Sequence, residues 1–163
     1  MIELSSNLKQ QAIQLAEVTS GMQKIYYQGI ADNSKDIICV PLAEAFTEEE
    51  LEDIRHYLHP QPKECYRNAT KLCELFPDKV LYCEGLMDCF GFGIDHAWNK
   101  VGDKYVDITM EIALDRADEI KDTAYLVYGE WDFMTINRVM YNTQCFGDVY
   151  RTLFMEKHKK EAK

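Results

Sequence analysis

Three residues whose types suit thiol chemistry follow one another along the sequence: Cys65, His96 and Asp107. A nucleophilic cysteine acts as its thiolate, which a neighbouring imidazolium and the positive end of a helix both stabilise. A carboxylate that accepts a hydrogen bond from the second ring nitrogen holds such a histidine in the required tautomer. These residue types predict a nucleophile at Cys65, its base at His96 and an orienting acid at Asp107.

The local sequence favours a helix that begins at the cysteine. Apolar side chains recur at spacings of three and four from residue 66 to residue 76, as on one face of a helix. Pro60 and Pro62 keep the preceding chain extended. The backbone N–H of Cys65 would then be unpaired at the helix start and free to bind an oxyanion.

The histidine and the aspartate fall on the two strands of a predicted hairpin. Residues 94–101 and 104–109 read as strands around a Gly-Asp turn. In that register Asp107 faces one of the two residues after His96, and His96 is its diagonal neighbour, within reach of a side chain. A one-residue bulge would bring the two directly opposite. The other three histidines lie near a helix end or in the charged C-terminal segment.

The remaining segments predict an α+β fold, in which a helix carrying Cys65 packs on an antiparallel sheet between flanking helices. The sheet would use the segments around Val80, Ile94, Lys104 and Ala124. Thr47 and Glu50 form a capping box that should start another helix. We further predict helices at 7–27, 133–141 and 148–160, a helical turn at 113–122, a buried strand at 36–40, and loops at 29–35 and 88–93.

Length and composition indicate one domain. A chain of 163 residues, of which 47% are hydrophobic, suffices for a single packed core. We divide it into an N-terminal helical and strand extension (1–60), a catalytic core (61–130) and C-terminal helices (131–163).

Charge and cysteine usage exclude several classes of function. A formal net charge of -10 argues against nucleic acid as a partner and suits a basic protein partner. No apolar run is long enough to span a membrane and no signal-peptide pattern begins the sequence, so we expect a cytoplasmic protein. The six cysteines should be reduced thiols. Their spacing does not favour structural zinc, and we expect no metal and no other cofactor.

Four short motifs resemble those of the papain-like superfamily, and more closely its transglutaminase-like members. They are Cys65-Tyr66-x-Asn68-Ala69, Tyr82-x-Glu84-Gly85, His96-Ala97-Trp98-Asn99 and Val106-Asp107-x-Thr109. The resemblance extends to a set of small bacterial and phage proteins, most of them uncharacterised, and covers residues 62–111.

The resemblance implies a papain-like or transglutaminase-like fold and a hydrolase or acyltransferase that acts on a peptide, amide or isopeptide through an acyl-thioester. It assigns Cys65 as nucleophile, His96 as general base and acid, and Asp107 as orienting residue. It also implies an oxyanion donor upstream of the cysteine, for which Gln61 is the candidate, although its spacing is shorter than the papain pattern. Asn68, Glu84 and Trp98 would support the triad or form the wall of a substrate groove.

Two alternatives stay open at this stage. In the first, the chain retains the triad as a catalytically inactive binding or inhibitory protein, encoded by a phage or mobile element. A zinc hydrolase that uses Cys65, His96 and a further ligand is the other alternative. The sequence leaves the substrate undefined because groove residues come from loops.

Overall fold

The protein folds around one antiparallel sheet of five strands. The computed structural model describes the backbone of residues 2–161 and the side chains of residues 7–161. The spatial order of the strands is β1-β5-β2-β3-β4. The strands are β1 (Lys35–Ile37), β2 (Val80–Cys89), β3 (Phe92–Val101), β4 (Lys104–Val106) and β5 (Tyr125–Trp131).

Six α-helices in the described chain surround the sheet. They are α1 (Ile2–Val18), α2 (Gly21–Asn33), α3 (Glu48–Tyr57), α4 (Cys65–Leu75), α5 (Phe133–Thr143) and α6 (Val149–Glu161). Helices α4 and α5 pack on β2, and α4 also packs on β3, whereas α1 and α2 pack on each other and on β5. The architecture is therefore α+β, as predicted. Among the described helices, none is long and apolar enough to cross a membrane.

Two hydrophobic clusters share the central strands. One joins Leu72 of α4 to Tyr82 and Ala97, and the other joins Cys83 and Trp98 to residues from β5. Neighbouring residues of a strand point to opposite faces, so each strand supplies both clusters. The sheet is thus covered on both sides at its centre, which fixes the positions of β2 and β3.

Several local predictions are confirmed. Helix α4 begins at Cys65, and Thr47 and Glu50 form the predicted capping box at the start of α3. The β3–β4 hairpin has the predicted register, with Asn99 opposite Val106. The two C-terminal helices are also present, separated by residues 144–148.

The prediction of one N-terminal helix is wrong, because the chain forms two helices and turns between them. Gly21 adopts a positive φ of 60° at the start of α2, a conformation that glycine tolerates best. The Thr19 hydroxyl donates to the Leu15 carbonyl at 2.7 Å and closes the end of α1. Helix α2 then continues to Asn33, so most of the loop predicted at 29–35 is helical.

Two further segments differ from their predictions. Where a buried strand is expected at 36–40, the chain forms the short edge strand β1, which ends at Ile37. Cys39 lies beyond that end, is fully buried and forms an isolated bridge to Tyr105. The loop expected at 88–93 is instead a tight hairpin turn at Phe90 and Gly91, with φ of 54° and 87°. Turns of this geometry match the twist of the adjoining strands.

The strand predicted at 104–109 ends early, at Val106, and the chain continues into a π-helical turn (Thr109–Ala113). Asp107 therefore lies just beyond β4 rather than within it. Strand β4 pairs only with residues 99–101 of β3, so it leaves the edge of β3 uncovered beside His96. Asp107 can approach His96 there without the bulge considered above.

Candidate active site

The start of α4 presents Cys65 with backbone donors around it. The first helical hydrogen bond runs from the Asn68 N–H to the Glu64 carbonyl at 2.8 Å, so the N–H groups of residues 65–67 precede the helical pattern. In the described chain, the Glu64 side chain makes no capping hydrogen bond to these groups. Cys65 is partly buried. Its sulfur thus lies at the positive end of the helix dipole.

Asn68 holds the segment before the cysteine in place. Its amide donates to the Gln61 carbonyl at 2.8 Å, and its side-chain oxygen accepts from the Gln61 N–H at 3.1 Å. The same amide donates to the Thr109 hydroxyl at 3.0 Å. Buried Asn68 therefore ties the loop before α4 to the turn that follows Asp107.

The oxyanion candidate Gln61 is not directed at the thiol. Its side chain is exposed and donates to the carbonyl of His59 at 3.1 Å. The fixed part of Gln61 is its backbone, which Asn68 binds. The donors that remain for an oxyanion are the backbone N–H groups at the start of α4.

His96 and Asp107 form a buried pair. The His96 Nε2 and the Asp107 Oδ2 are 2.7 Å apart, and the two residues are 5% and 0% exposed. A carboxylate with so little access to water needs several donors to offset its lost hydration. Asp107 has them, because Oδ1 accepts from the backbone N–H groups of Thr109 and Met110 at 3.0 and 3.1 Å.

The electrostatics favour a protonated His96. Burial opposes a charge on the imidazole, but the charge and hydrogen bond of Asp107, together with Cys65, raise the pKa of His96 to about 10. Cys65 contributes to the raised pKa of His96, which indicates that its thiol lies near the imidazole. Since Nε2 is bonded to Asp107, the ring nitrogen left for the thiol is Nδ1.

Tyr125 completes the surroundings of the aspartate, and the sequence analysis missed it. Its hydroxyl donates to the Asp107 Oδ2 at 2.9 Å and also interacts with the buried thiol of Cys39. Burial, followed by the charge of Asp107, raises the pKa of Tyr125. No spacing pattern links residues so far apart in the chain, so only the pairing of β5 with β2 brings Tyr125 to this place.

Trp98 supports the imidazole from its buried side. The His96 and Trp98 rings are stacked with centroids 6.1 Å apart, and Trp98 is fully buried. Gly85 makes room for this indole, since a Cβ there would lie 2.4 Å from the Trp98 ring and 2.0 Å from the Leu126 carbonyl. Trp98 is therefore a packing residue behind His96. Position 85 requires glycine because any larger residue would collide with the Trp98 ring and the Leu126 carbonyl.

Glu84 has its contacts on the other side of the strand, at the start of α6. Its carboxylate accepts from the N–H groups of Val149 and Tyr150 at 2.9 and 3.0 Å. The Tyr82 hydroxyl donates to it at 2.7 Å. Burial raises the pKa of Glu84, and these hydrogen bonds oppose that shift. Glu84 thus caps a helix and connects it to the sheet.

Two open grooves run along α4 near the cysteine. One of 710 Å³ is lined by both sequence neighbours of Cys65, Glu64 and Tyr66, and by Phe146. A second, of 410 Å³, is lined by Pro60 and Asn68 and shares Arg67 and Lys71 of α4 with the first. A substrate chain lying in either groove would pass close to the start of α4.

Comparison of the chain with protein-family models, with curated proteins and with solved structures gives no match. Over the residues described, no group of three or more His, Cys, Asp or Glu side chains is arranged to hold a metal ion.

Proposed function

We propose that this protein is a cysteine-dependent hydrolase or acyltransferase of papain-like or transglutaminase-like type, acting on an amide or isopeptide bond. The observation that carries the proposal is the buried His96–Asp107 pair, whose imidazole also interacts with Cys65 at the start of a helix. This arrangement has the three parts that nucleophilic thiol catalysis needs: a nucleophile, an adjacent base and a group that orients the base.

In the proposed acylation step, the Cys65 thiolate attacks the carbonyl carbon of the substrate and the C–N bond breaks. The His96 imidazolium gives its proton to the departing amine, which leaves a thioester on the sulfur. Between attack and bond breaking, backbone N–H groups at the start of α4 stabilise the negative oxygen of the tetrahedral intermediate. Asp107 keeps Nε2 occupied, so the proton leaves from Nδ1.

In the deacylation step, neutral His96 takes a proton from water, or from an acceptor amine, as that molecule attacks the thioester. The carbonyl carbon gains the new C–O or C–N bond and the Cys65 sulfur leaves as thiolate beside the re-formed imidazolium. Water gives hydrolysis and an amine gives acyl transfer.

The test compares two cysteines of the same molecule. Cys145 is exposed and Cys65 is partly buried, so exposure alone predicts faster alkylation of Cys145. We expect iodoacetamide at neutral pH to modify Cys65 faster, because a neighbouring imidazolium stabilises its thiolate. Peptide mass spectrometry measures both rates. His96→Gln should lower the alkylation rate of Cys65 by at least ~10-fold and leave that of Cys145 unchanged.

A second measurement follows the acyl intermediate. An activated ester such as p-nitrophenyl acetate should release nitrophenolate and leave one acetyl group on Cys65, removable by hydroxylamine. Cys65→Ala should abolish this adduct, whereas Cys145→Ala should not. If Cys65 reacts no faster than Cys145, and His96→Gln changes neither rate, the proposed mechanism is wrong.

A catalytically inactive binding or inhibitory protein of the same architecture is the second candidate. The low exposure of His96 and Asp107 favours it, because a substrate in the neighbouring grooves has little direct access to these two side chains. The net charge of -10 suits a basic protein partner. If Cys65 is alkylated slowly, and no faster than the cysteines outside the site, the result supports this candidate over the enzyme.

A further inference from the structure

A separate cavity of 470 Å³ lies between the sheet, α1, α2 and α6. Ala12, Ile30 and Leu86 form part of its lining. Its volume falls in the range of about 300 to 1,000 Å³ that small-molecule sites occupy. Since Asp95 lines it and adjacent strand residues point to opposite faces, the cavity lies on the other side of β3 from His96.

Aromatic rings gather at this cavity. Tyr26, Tyr27 and Phe154 line it, and the Tyr26 ring meets the other two edge to face, at centroid distances of 5.4 and 5.3 Å. Tyr150 also packs against Tyr26, at 5.4 Å. Aromatic faces carry partial negative charge and attract cations. The cavity therefore has walls that favour a positive ligand over a neutral one of the same shape.

Two carboxylates reinforce this preference. Asp95 from β3 and Asp148, just before α6, both line the cavity. Burial and the charge of Asp148 raise the pKa of Asp95, and the same two carboxylates contribute to the raised pKa of Tyr26, after burial. A bound cation would relieve this repulsion between like charges. Arg151 is the basic residue in the lining, and a ligand cation would compete with it.

Exposed apolar side chains also line the cavity. Leu15, Met22 and Met155 line it and are 42%, 45% and 38% exposed. Thioether and leucine side chains suit an alkyl chain, and methionine adapts its shape to different ligands. A ligand that combines a short alkyl chain with a single positive end matches the whole lining.

We propose that this cavity binds a primary alkylammonium ion, with the ammonium group between Asp95 and Asp148 beside Tyr26 and the alkyl chain along Leu15 and Met22. A free alkylamine and the side chain of a lysine residue share this chemistry. The inference does not depend on thiol catalysis, because none of these residues belongs to the Cys65 site.

Calorimetric titration with n-pentylamine, which is charged at neutral pH, tests the proposal against 1-pentanol, its neutral counterpart. Phosphate buffer is needed because Tris is itself an amine. We expect pentylammonium to bind at least ~10-fold more tightly than pentanol. Nα-acetyl-lysine amide forms a further arm: tighter binding than pentylamine points to a peptide ligand, and weaker binding to a free amine.

Variants locate the site. Asp95→Asn and Asp148→Asn should each weaken binding of pentylamine about threefold, and Arg151→Gln should strengthen it about twofold. Asp103→Asn, an exposed aspartate of the β3–β4 turn, is the matched control and should have no effect. Cys65→Ala should bind pentylamine as the unchanged protein does, which separates this test from that of the thiol mechanism.

The proposal is overturned if millimolar pentylamine gives no binding heat, if pentanol binds equally well, or if the double variant Asp95→Asn/Asp148→Asn keeps full affinity. Tyr26→Leu should also weaken binding, and its thermal midpoint must be compared with that of the parent protein. The Asp→Asn variants keep the size and shape of the side chain, so the result does not depend on Tyr26.

Discussion

At the scale of single residues, the arrangement around Asp107 is what separates this site from a chance encounter of a histidine with an acid. The carboxylate accepts from His96, Tyr125 and two backbone N–H groups. Four donors fix both oxygens, so the carboxylate cannot rotate without losing hydrogen bonds. The fixed carboxylate in turn orients the imidazole through its hydrogen bond to Nε2.

Tyr125→Phe should show how far the orientation depends on the tyrosine. The variant removes one donor from a buried carboxylate, which should lower the free energy of unfolding by about 1 to 2 kcal/mol. If Tyr125 positions Asp107, alkylation of Cys65 should slow as well. Urea unfolding and alkylation rates measure the two effects.

Tyr128→Phe is the matched control on the same strand, because its hydroxyl donates to Asp95 at 3.5 Å and is not among the donors to Asp107. We expect it to leave the alkylation rate of Cys65 unchanged. If Tyr125→Phe alters stability alone, the tyrosine supports the fold and has no part in positioning the histidine.

The raised pKa of His96 predicts a pH dependence of stability. Burial opposes the shift, but Asp107 and Cys65 raise the pKa from 6.5 to about 10, so the folded protein holds this proton more tightly than the unfolded chain. The stabilisation is complete below pH 6.5 and is lost as the pH rises to about 10. Urea titrations across this window should show the loss in the parent protein.

His96→Gln should flatten this dependence, and His56→Gln, at an exposed position of α3, should not. The difference between the two variants isolates His96 from the lysines and tyrosines that titrate over the same range. Equal slopes for the parent and His96→Gln would contradict a raised pKa.

At the scale of elements, β2 is the central strand of the sheet and its residues contact layers on both faces. Glu84 on this strand caps α6, and Gly85 beside it admits the Trp98 ring that backs His96. One dipeptide therefore connects two layers of structure, one on each face. The motif resemblance marked these positions, but their contacts follow from the pairing of β2 with both β3 and β5.

Glu84→Gln tests this connection. A glutamine would turn an amide NH₂ toward donors that now bind a carboxylate oxygen, so we expect a loss of about 1 to 3 kcal/mol in the free energy of unfolding. Hydrogen exchange should rise first in α6. Glu156→Gln, on the partly exposed face of α6, serves as control and should have little effect. An unchanged stability would show that the buried cap contributes nothing.

At the scale of the whole molecule, the cysteines report on the packing of both core clusters. Cys39, Cys73 and Cys83 are fully buried, whereas Cys145 is exposed and Cys65 and Cys89 are intermediate. Burial raises the pKa of Cys73 to about 12 and that of Cys39 and Cys83 well above the ordinary value.

We therefore expect native labelling with iodoacetamide to be confined to Cys65, Cys89 and Cys145, and the other three to react only after unfolding in urea. Peptide mapping at increasing urea concentration measures this. Simultaneous exposure of Cys39, Cys73 and Cys83 would indicate one cooperative unit. Fast labelling of any of them in the native protein would contradict the packing of that cluster.

Local features could be predicted because their causes are local. The capping box at Thr47, the helix that begins at Cys65 and the register of the hairpin after His96 each depend on a few adjacent residues. The prediction of a single N-terminal helix is wrong because the mixed apolar spacing continues through the break at Gly21, where the backbone adopts a positive φ.

The sequence by itself determined the class of the fold and the three residues that could carry thiol chemistry. Tertiary structure decided what surrounds them: Tyr125 on Asp107, Trp98 behind His96, and Gln61 turned away from Cys65. It also formed the aromatic and acidic cavity on the other side of β3. These contacts join residues far apart in the chain, and their geometry follows from strand pairing and packing, which local spacing does not encode.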